Sequence, residues 1–293
     1  MLQSKNDIGL PRITVVMPSF NQSNFLEDSL CSVLGQDYPN LEFIVIDGGS
    51  TDGSREIIER YAAYLSYWRS QPDNGQTDAL IEGFKRATGD ILGWVNSDDV
   101  LLPGVLQHIA RAYISHPETG LFGGNYVLID ENGAIIRCKR HSSRTKWFGL
   151  HGLQIISPDW FFTRKAYDKI GGLDPSIEFS MDLDLFFRMI MKGERYLHIN
   201  EWFVGFRIHL ASKGVAKPHM FLLENEEVRI RVDQWLREHN RIGGYNSPII
   251  LWLYMLLQVF NGNYIRMTFE TLIAHGRDWH TWATSHTKSV VPD

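Results

Sequence analysis

Leu41–Asp47 reads LEFIVID and runs directly into Gly48-Gly49-Ser50-Thr51-Asp52-Gly53-Ser54. A short run that is apolar at nearly every position, with Pro39-Asn40 before it and two glycines after it, predicts a strand covered on both faces. Asp52 is placed to cap a helix over 54–65. The same alternation extends to either side. Residues 12–17 (RITVVM) predict an earlier strand, followed by a helix over 25–36 with Ser23 at its cap. Residues 67–71 predict a third strand, 77–87 a helix, and 91–95 (ILGWV) a fourth strand. Pro103 suits the first turn of a helix that ends near His116-Pro117. Strands alternating with helices of roughly 10 to 15 residues imply βαβ units, hence an α/β fold on a mostly parallel central sheet.

The pattern changes past residue 120. Residues 121–129 and 134–139 flank Glu131-Asn132-Gly133, which predicts a β-hairpin. Residues 142–158 read as loop. Helices are expected over 161–170, 181–192 and 220–238, strands over 195–199 and 203–208, and two further helical segments after Ser247. No internal repeat is visible.

Composition narrows the function. The 293 residues are 44% hydrophobic and 22% charged, the balance of an ordinary globular protein, which excludes disordered and fibrous classes. With 29 basic against 34 acidic residues, net charge −5, no basic field is available to hold a nucleic acid. Cys31 and Cys138 are too few for a disulfide framework or a four-cysteine zinc site and suit a reducing cytoplasm. The first residues, MLQSKNDIGLP, lack the apolar core of a secretory signal. Residues 248–260 are apolar on nearly all sides but too short to span a bilayer. A cytoplasmic protein without a membrane span is expected. The 248–260 segment would pack on the main domain, on a second copy of the chain, or peripherally against a membrane face.

Ligands of open α/β sheets bind beyond the carboxyl ends of the strands. Three polar clusters fall there: Pro18-Ser19-Phe20-Asn21, Asp47-Gly48 with the residues that follow, and Asn96-Ser97-Asp98-Asp99. Asp47 ends an apolar strand, where a carboxylate must face solvent or a ligand and could accept from a base or a ribose hydroxyl. No G-x-G-x-x-G and no G-x-x-x-x-G-K-[ST] occurs, which removes the nicotinamide and P-loop fingerprints. The adjacent carboxylates Asp98 and Asp99 call for a nearby cation, and hard oxygen ligands favour Mg2+ or Mn2+ held together with substrate phosphates. Their alternative is a cap for the helix at Pro103. A second acidic cluster, Asp182 and Asp184, opens a helix; it is either a dipole-favoured first turn or the seat of a general base.

In this order the motifs resemble the inverting nucleotide-sugar glycosyltransferases of family 2, as found in bacterial polysaccharide and cell-envelope synthesis. The carrying residues are VVMPSFN ending at Asn21, VIDGGSTDGS ending at Ser54, DNGQTDALIEGFKRATGD at 73–90, VNSDD ending at Asp99, and GGLD at 171–174 with MDLDLFFR at 181–188. The resemblance covers about residues 13–209. It implies a GT-A fold with a C-terminal helical extension. It divides the chain into an extension (1–11), a catalytic domain (12–215) with a nucleotide-binding half (12–100) and an acceptor half (101–215), and a helical region (216–293).

The resemblance also implies roles. Pro18, Ser19, Phe20 and Asn21 would line the nucleotide pocket with Gly48, Asn96 and Ser97. Asp47 would meet the base, and Asp73 and Gly75 the nucleotide or ribose. Asp98 and Asp99 would hold Mn2+ or Mg2+ on the diphosphate. Asp182 would be the catalytic base. Arg207-Ile208-His209 resembles a late Arg-x-His segment, which adds His209 as a diphosphate or metal ligand; Lys213 reads as a solvated loop residue. Ile46, Asn96 and Met181 depart from the family pattern, at positions where an aspartate, an aspartate and a glutamate are common. The implied reaction is transfer, with inversion, from a UDP-sugar (a GDP- or dTDP-sugar in the alternative) to a glycan or lipid-linked acceptor. Set against it are a glycoside hydrolase using Asp98 and Asp182 as a carboxylate pair, a sugar-nucleotide pyrophosphorylase, and a non-catalytic sugar-nucleotide binding module.

Overall fold

A computed structural model describes residues 9–141, 160–213, 217–239, 252 and 263–286. The first hundred residues alternate as the sequence predicts. They run β1 (Ile13–Ser19), α1 (Ser23–Leu34), β2 (Leu41–Asp47), α2 (Ser54–Tyr61), β3 (Tyr67–Ser70), α3 (Gln76–Arg86) and β4 (Ile91–Trp94). β1 pairs in parallel with β2 and β4, and β2 with β3. The register sets Ser19 opposite Asp47 and Asp47 opposite Ser70, so three of the ligand-side loops leave the sheet at one level. β4 ends opposite Val16, short of that level. Ser23 is the first helical residue of α1, with Gln22 at the cap.

The second half continues as β5 (Val100–Leu101), α4 (Val105–Ser115), β6 (Thr119–Ile129), β7 (Ile135–Lys139), β8 (Trp160–Thr163), α5 (Arg164–Lys169), α6 (Met181–Met191) and β9 (Arg195–Arg207). The sheet order is β3-β2-β1-β4-β8-β6-β9-β5, with β7 on β6. β8 runs antiparallel between β4 and β6, and β9 lies parallel to β6 and antiparallel to β5. The parallel order of the first half therefore becomes mixed.

Three expectations change. Residues 161–170 are not one helix: Trp160–Thr163 is strand, and only Arg164–Lys169 is helical, with the Thr163 hydroxyl accepting from Ala166 N. Phe161 packs on one face of the sheet while Trp160 and Phe162 pack on the other, the period-2 signature of a strand inserted between two others. The strands over 195–199 and 203–208 are a single strand, β9, whose irregularity is absorbed by register shifts along β6. Pro103 lies just outside α4, where Gly104 takes the cap at φ 79. The hairpin of β6 and β7 is present. Its turn is tied by Asp130 Oδ1, which accepts from Asn132 N and Ala134 N.

Alternate residues of the strands feed two cores. Val15, Met17, Phe43 and Val45 face α1, α2 and α4; Val16, Ile44 and Ile46 face α3 and α6. The C-terminal segment packs on both sides. α7 (Pro218–Glu238) sets Val228, Val232 and Leu236 into the second core. α8 (Asn263–Ala274) and α9 (Trp279–His286) join the first core through Ala274, Trp279 and Trp282. Arg140 at the end of β7 reaches Glu270 with two nitrogens, and Cys138 N donates to the Thr271 hydroxyl. Residues 142–158, and 248–260 apart from Trp252, lie outside the described residues. Among the described residues no helix is long and apolar enough to cross a membrane.

Candidate active site

A cavity of about 650 Å³ opens where the strand ends meet the start of α6. β1 contributes Pro18, Ser19 and Phe20, and the loop after β2 contributes Gly48. Asp73 and Gly75 come from the β3–α3 loop, and Asn96, Ser97, Asp98 and Asp99 from the loop after β4. Asp182 and Glu178 come from α6 and its approach, and Arg207 and Lys213 from the end of β9 and beyond. Most of the residues predicted from sequence thus share one cavity. Asn21, Asp47 and His209 are not part of its lining; Asp47 and His209 are buried and Asn21 is exposed.

Asn21 sits at φ 50 and clips two loops together: its Oδ1 accepts from Thr51 N, and its own N–H donates to the Ser50 hydroxyl. Asp47 is fully buried. One of its oxygens accepts from Gly49 N, Ser50 N and the Ser70 hydroxyl, the other from the Ser50 hydroxyl at 2.5 Å. The Asp47 carboxylate, expected to meet the base, is thus engaged by its own loop. At a buried strand end the glycine turn folds its own amides back onto the carboxylate, which becomes the anchor of the loop.

Asp73 differs. Its side chain is 8% exposed, and Oδ1 accepts from Gly75 N. Oδ2 has no hydrogen-bond partner, its nearest cation being Arg69 at 4.0 Å. Burial raises the Asp73 carboxyl above the usual range, against the pull of the Gly75 amide and Arg69. The Ser19 hydroxyl is a second buried group without a partner. Buried polar atoms are almost always satisfied, and these two orphans both line the cavity, where a ligand could supply the missing bonds. Gly48 makes room for this: a Cβ there would lie 3.0 Å from Asp73 Oδ1.

Asp98 and His209 form the third feature. Asp98 Oδ2 lies 3.0 Å from His209 Nε2, and the imidazole packs on Phe25 with ring centres 4.5 Å apart. Carboxylate oxygen suits both Mn2+ and Mg2+, and imidazole nitrogen is a transition-metal ligand, so the pair fits Mn2+ better than Mg2+. Asp99 is no part of this pair, contrary to expectation. It is buried, accepts from Arg207 N on one oxygen and from Asn96 Nδ2 on the other, and has its carboxyl pushed well up by burial and by Asp98. Among the described residues no three His, Cys, Asp or Glu side chains converge on a point. The donor set that fits an ion is Asp98 with His209, completed by ligands from a substrate.

Arg207 organises this corner. Buried to 1% exposure, it donates from Nε to Asp98 O, from Nη1 to the carbonyls of Asp130 and Glu131, and from Nη2 to Asp28, and it lies over the Phe25 ring. In the Arg-x-His segment the sequence points to the histidine, and the structure adds the arginine.

Lys213 is not a solvated loop residue. Its Nζ reaches Glu178 Oε1 at 2.6 Å and Gln76 Oε1 at 3.1 Å inside the cavity. Glu178 in turn accepts from Gln76 N and Thr77 N at the start of α3. Gln76 passes the chain on to Asn96 Oδ1, and Asn96 to Asp99. This explains the asparagine at 96. Its amide donates to one neighbour and accepts from the other, whereas an aspartate would set a carboxylate against Asp99. Asp182, the second residue of α6, faces the cavity and accepts from Leu183 N at 2.7 Å. Asp184 is turned inward to Arg188 and Arg231.

Residues 14–181 match the family model described as "Glycosyl transferase family 2". An uncharacterized glycosyltransferase of Mycobacterium tuberculosis is 38% identical over 188 residues, 63% of this chain and 71% of its own length. Relatives from Rickettsia species, 25–27% identical and also described as uncharacterized glycosyltransferases, are matched over 29–67% of their own lengths. Among solved structures, Staphylococcus aureus TarS 1–349 in complex with UDP-GlcNAc superposes with a TM-score of 0.61 at 17% identity, over 78% of this chain and 71% of that one. The mannosyltransferase PcManGT of Pyrobaculum calidifontis, in complex with GDP-Man and Mn2+, gives 0.53 at 19% identity, over 90% and 86%. The fold is GT-A, and the chain belongs to glycosyl transferase family 2.

Proposed function

We propose that the protein moves a sugar from a nucleoside-diphosphate donor to an acceptor hydroxyl with inversion, Asp182 acting as general base. One observation carries the reading: a carboxylate at the start of α6 and the Asp98–His209 pair line or back one cavity that two unsatisfied buried polar groups also line. The acceptor hydroxyl gives its proton to Asp182 as its oxygen attacks the anomeric carbon, and the diphosphate departs on the opposite side. Asp98 and His209 would hold Mn2+ or Mg2+, whose charge offsets that of the departing diphosphate. Asp73 Oδ2 would accept an N–H or O–H from the base or ribose, the part first assigned to Asp47. A UDP-sugar is the first donor to test, with GDP- and dTDP-sugars beside it. The acceptor is a glycan or lipid-linked glycan. Phe221 lines the cavity and its neighbours Leu222 and Leu223 are exposed, which supports an acceptor with an apolar part and a peripheral position at a cytoplasmic membrane face. A carboxylate-pair hydrolase is disfavoured because Asp98 is committed to His209.

The test is a thermal-shift screen of nucleoside diphosphates and their sugars, with and without Mn2+ and Mg2+. An ion-dependent rise with one nucleotide names the base. No rise with any nucleotide, ion present or absent, overturns the reading. Asp98→Ala and His209→Ala should each abolish the ion-dependent part. Losing an outer-shell partner already costs about 10- to 100-fold in metal affinity, and a direct ligand costs no less.

Asp73→Asn should act in two directions. Nucleoside-diphosphate binding should weaken about 10- to 100-fold, because a hydrogen bond to a charged group contributes about 1.5–3 kcal/mol. The ligand-free protein should melt at a higher temperature near neutral pH, since a buried unsatisfied charge is removed. The sign with pH follows from the raised carboxyl. The folded state holds that proton more tightly than the unfolded state, so stability falls as pH rises through the elevated pKa. Melting curves across the acid range should show a shallower fall in Asp73→Asn, the remainder belonging to Asp99. An unchanged slope together with unchanged binding excludes the assignment.

A further inference from the structure

The start of α6 is held from outside the matched family segment. Ser180 stands at the cap position of this helix, but its hydroxyl donates to Asn225 Oδ1 on α7 and does not cap its own helix. The neighbouring residue of α7, Glu224, instead grips the backbone just ahead of the helix. Its carboxylate accepts from three successive backbone amides: Glu178 N at 3.1 Å, Phe179 N at 2.5 Å and Ser180 N at 2.9 Å. Charge-assisted bonds of this kind are about twice as strong as neutral ones, and three on one carboxylate fix a backbone segment in position and direction. Asp182 follows two residues later, in the first turn of α6. The side chain of Glu178 is secured separately, by the α3 amides and Lys213. The donor side of the cavity therefore has supports that do not pass through Glu224, and the grip of Glu224 bears chiefly on the base side.

We propose that Glu224 is a positioning residue for transfer: by holding the 178–180 backbone it sets Asp182 against the acceptor hydroxyl. The inference rests on Asp182 being the base, as proposed above. Its expected signature is a split between turnover and donor binding. A displacement of about 1 Å at a reacting group can cost about 100-fold in rate. Glu224→Ala should therefore lower kcat about 10- to 100-fold, while the donor Kd, read by the nucleotide thermal shift, stays within about twofold. Glu224→Gln keeps an oxygen able to accept from the amides and should recover most of the lost rate.

Asp182→Asn is measured beside them, alone and combined with Glu224→Ala. Residues that act as one unit are not additive, so the double variant should turn over no more slowly than Asp182→Asn. A merely structural Glu224 would lower kcat and donor affinity together, or add its full loss to that of Asp182→Asn; either result overturns the proposal, as does an unchanged kcat in a folded Glu224→Ala. If Glu224→Ala does not fold, Glu224→Gln decides: a partial kcat loss at unchanged donor Kd supports the role, and a matched loss of both defeats it. Near-normal turnover in Asp182→Asn would instead sink the base assignment, whatever Glu224 does.

Discussion

Asp182→Asn is expected to abolish sugar transfer while the donor still binds. Removing a positioned general base typically costs about 100- to 10,000-fold in rate. The amide is nearly isosteric and its oxygen can still accept from Leu183 N, so the first turn of α6 should survive. The groups proposed to hold the donor, Asp73, Asp98 and His209, belong to other elements and are untouched. Initial rates at saturating donor, with donor affinity measured in parallel, separate the two effects. Near-normal turnover would mean that another group takes the proton; a parallel loss of donor affinity would mean that Asp182 serves binding.

Arg207→Ala should have the largest effect on stability. The guanidinium is buried, and it ties the Asp98 carbonyl, the β6–β7 turn and Asp28 to one point beside the buried Asp99 carboxylate. Removing one member of a buried charged cluster leaves its partners unsatisfied and costs about 3–5 kcal/mol. For a domain somewhat above 200 residues that is a fall in melting temperature on the order of 10 °C. Arg207→Lys should rescue little, because a single ammonium cannot span directions served by three guanidinium nitrogens. A melting temperature within about 2 °C of the parent protein would show that the cluster contributes little, in the range of an ordinary surface substitution.

The parallel half of the sheet was legible because its strands are buried on both faces and so appear as apolar runs between turn signals. Trp160–Thr163 was not legible: WFFT is as apolar as the first turn of a buried helix, and only its place between β4 and β6 makes it a strand. The cavity lining was readable from motif order. The division of labour within it was not. Asp47 and Asp73 are both carboxylates after strands, and what separates them is the count of amides and hydroxyls turned toward each. Asp98 and Asp99 are adjacent, and only the direction of each side chain, one to His209 and one to Arg207 N, tells the proposed ligand from the brace. Lys213 and Glu224 carry no local signal, because their partners are distant in sequence.

The placement of β9 bears on how this chain can be cut. The family match stops at residue 181, yet β9 (Arg195–Arg207) is an inner strand of the sheet, between the two-residue β5 and β6, which it accompanies for most of its length. A fragment trimmed to the matched residues would keep the motifs through GGLD at 171–174 but lose Asp182, His209 and that strand. One side of β6 would then present its amides and carbonyls to solvent along a buried, apolar surface, the kind of open edge that recruits other chains. Such a fragment should collect in inclusion bodies although its first four motifs are complete, and the unit that folds must reach past Arg207.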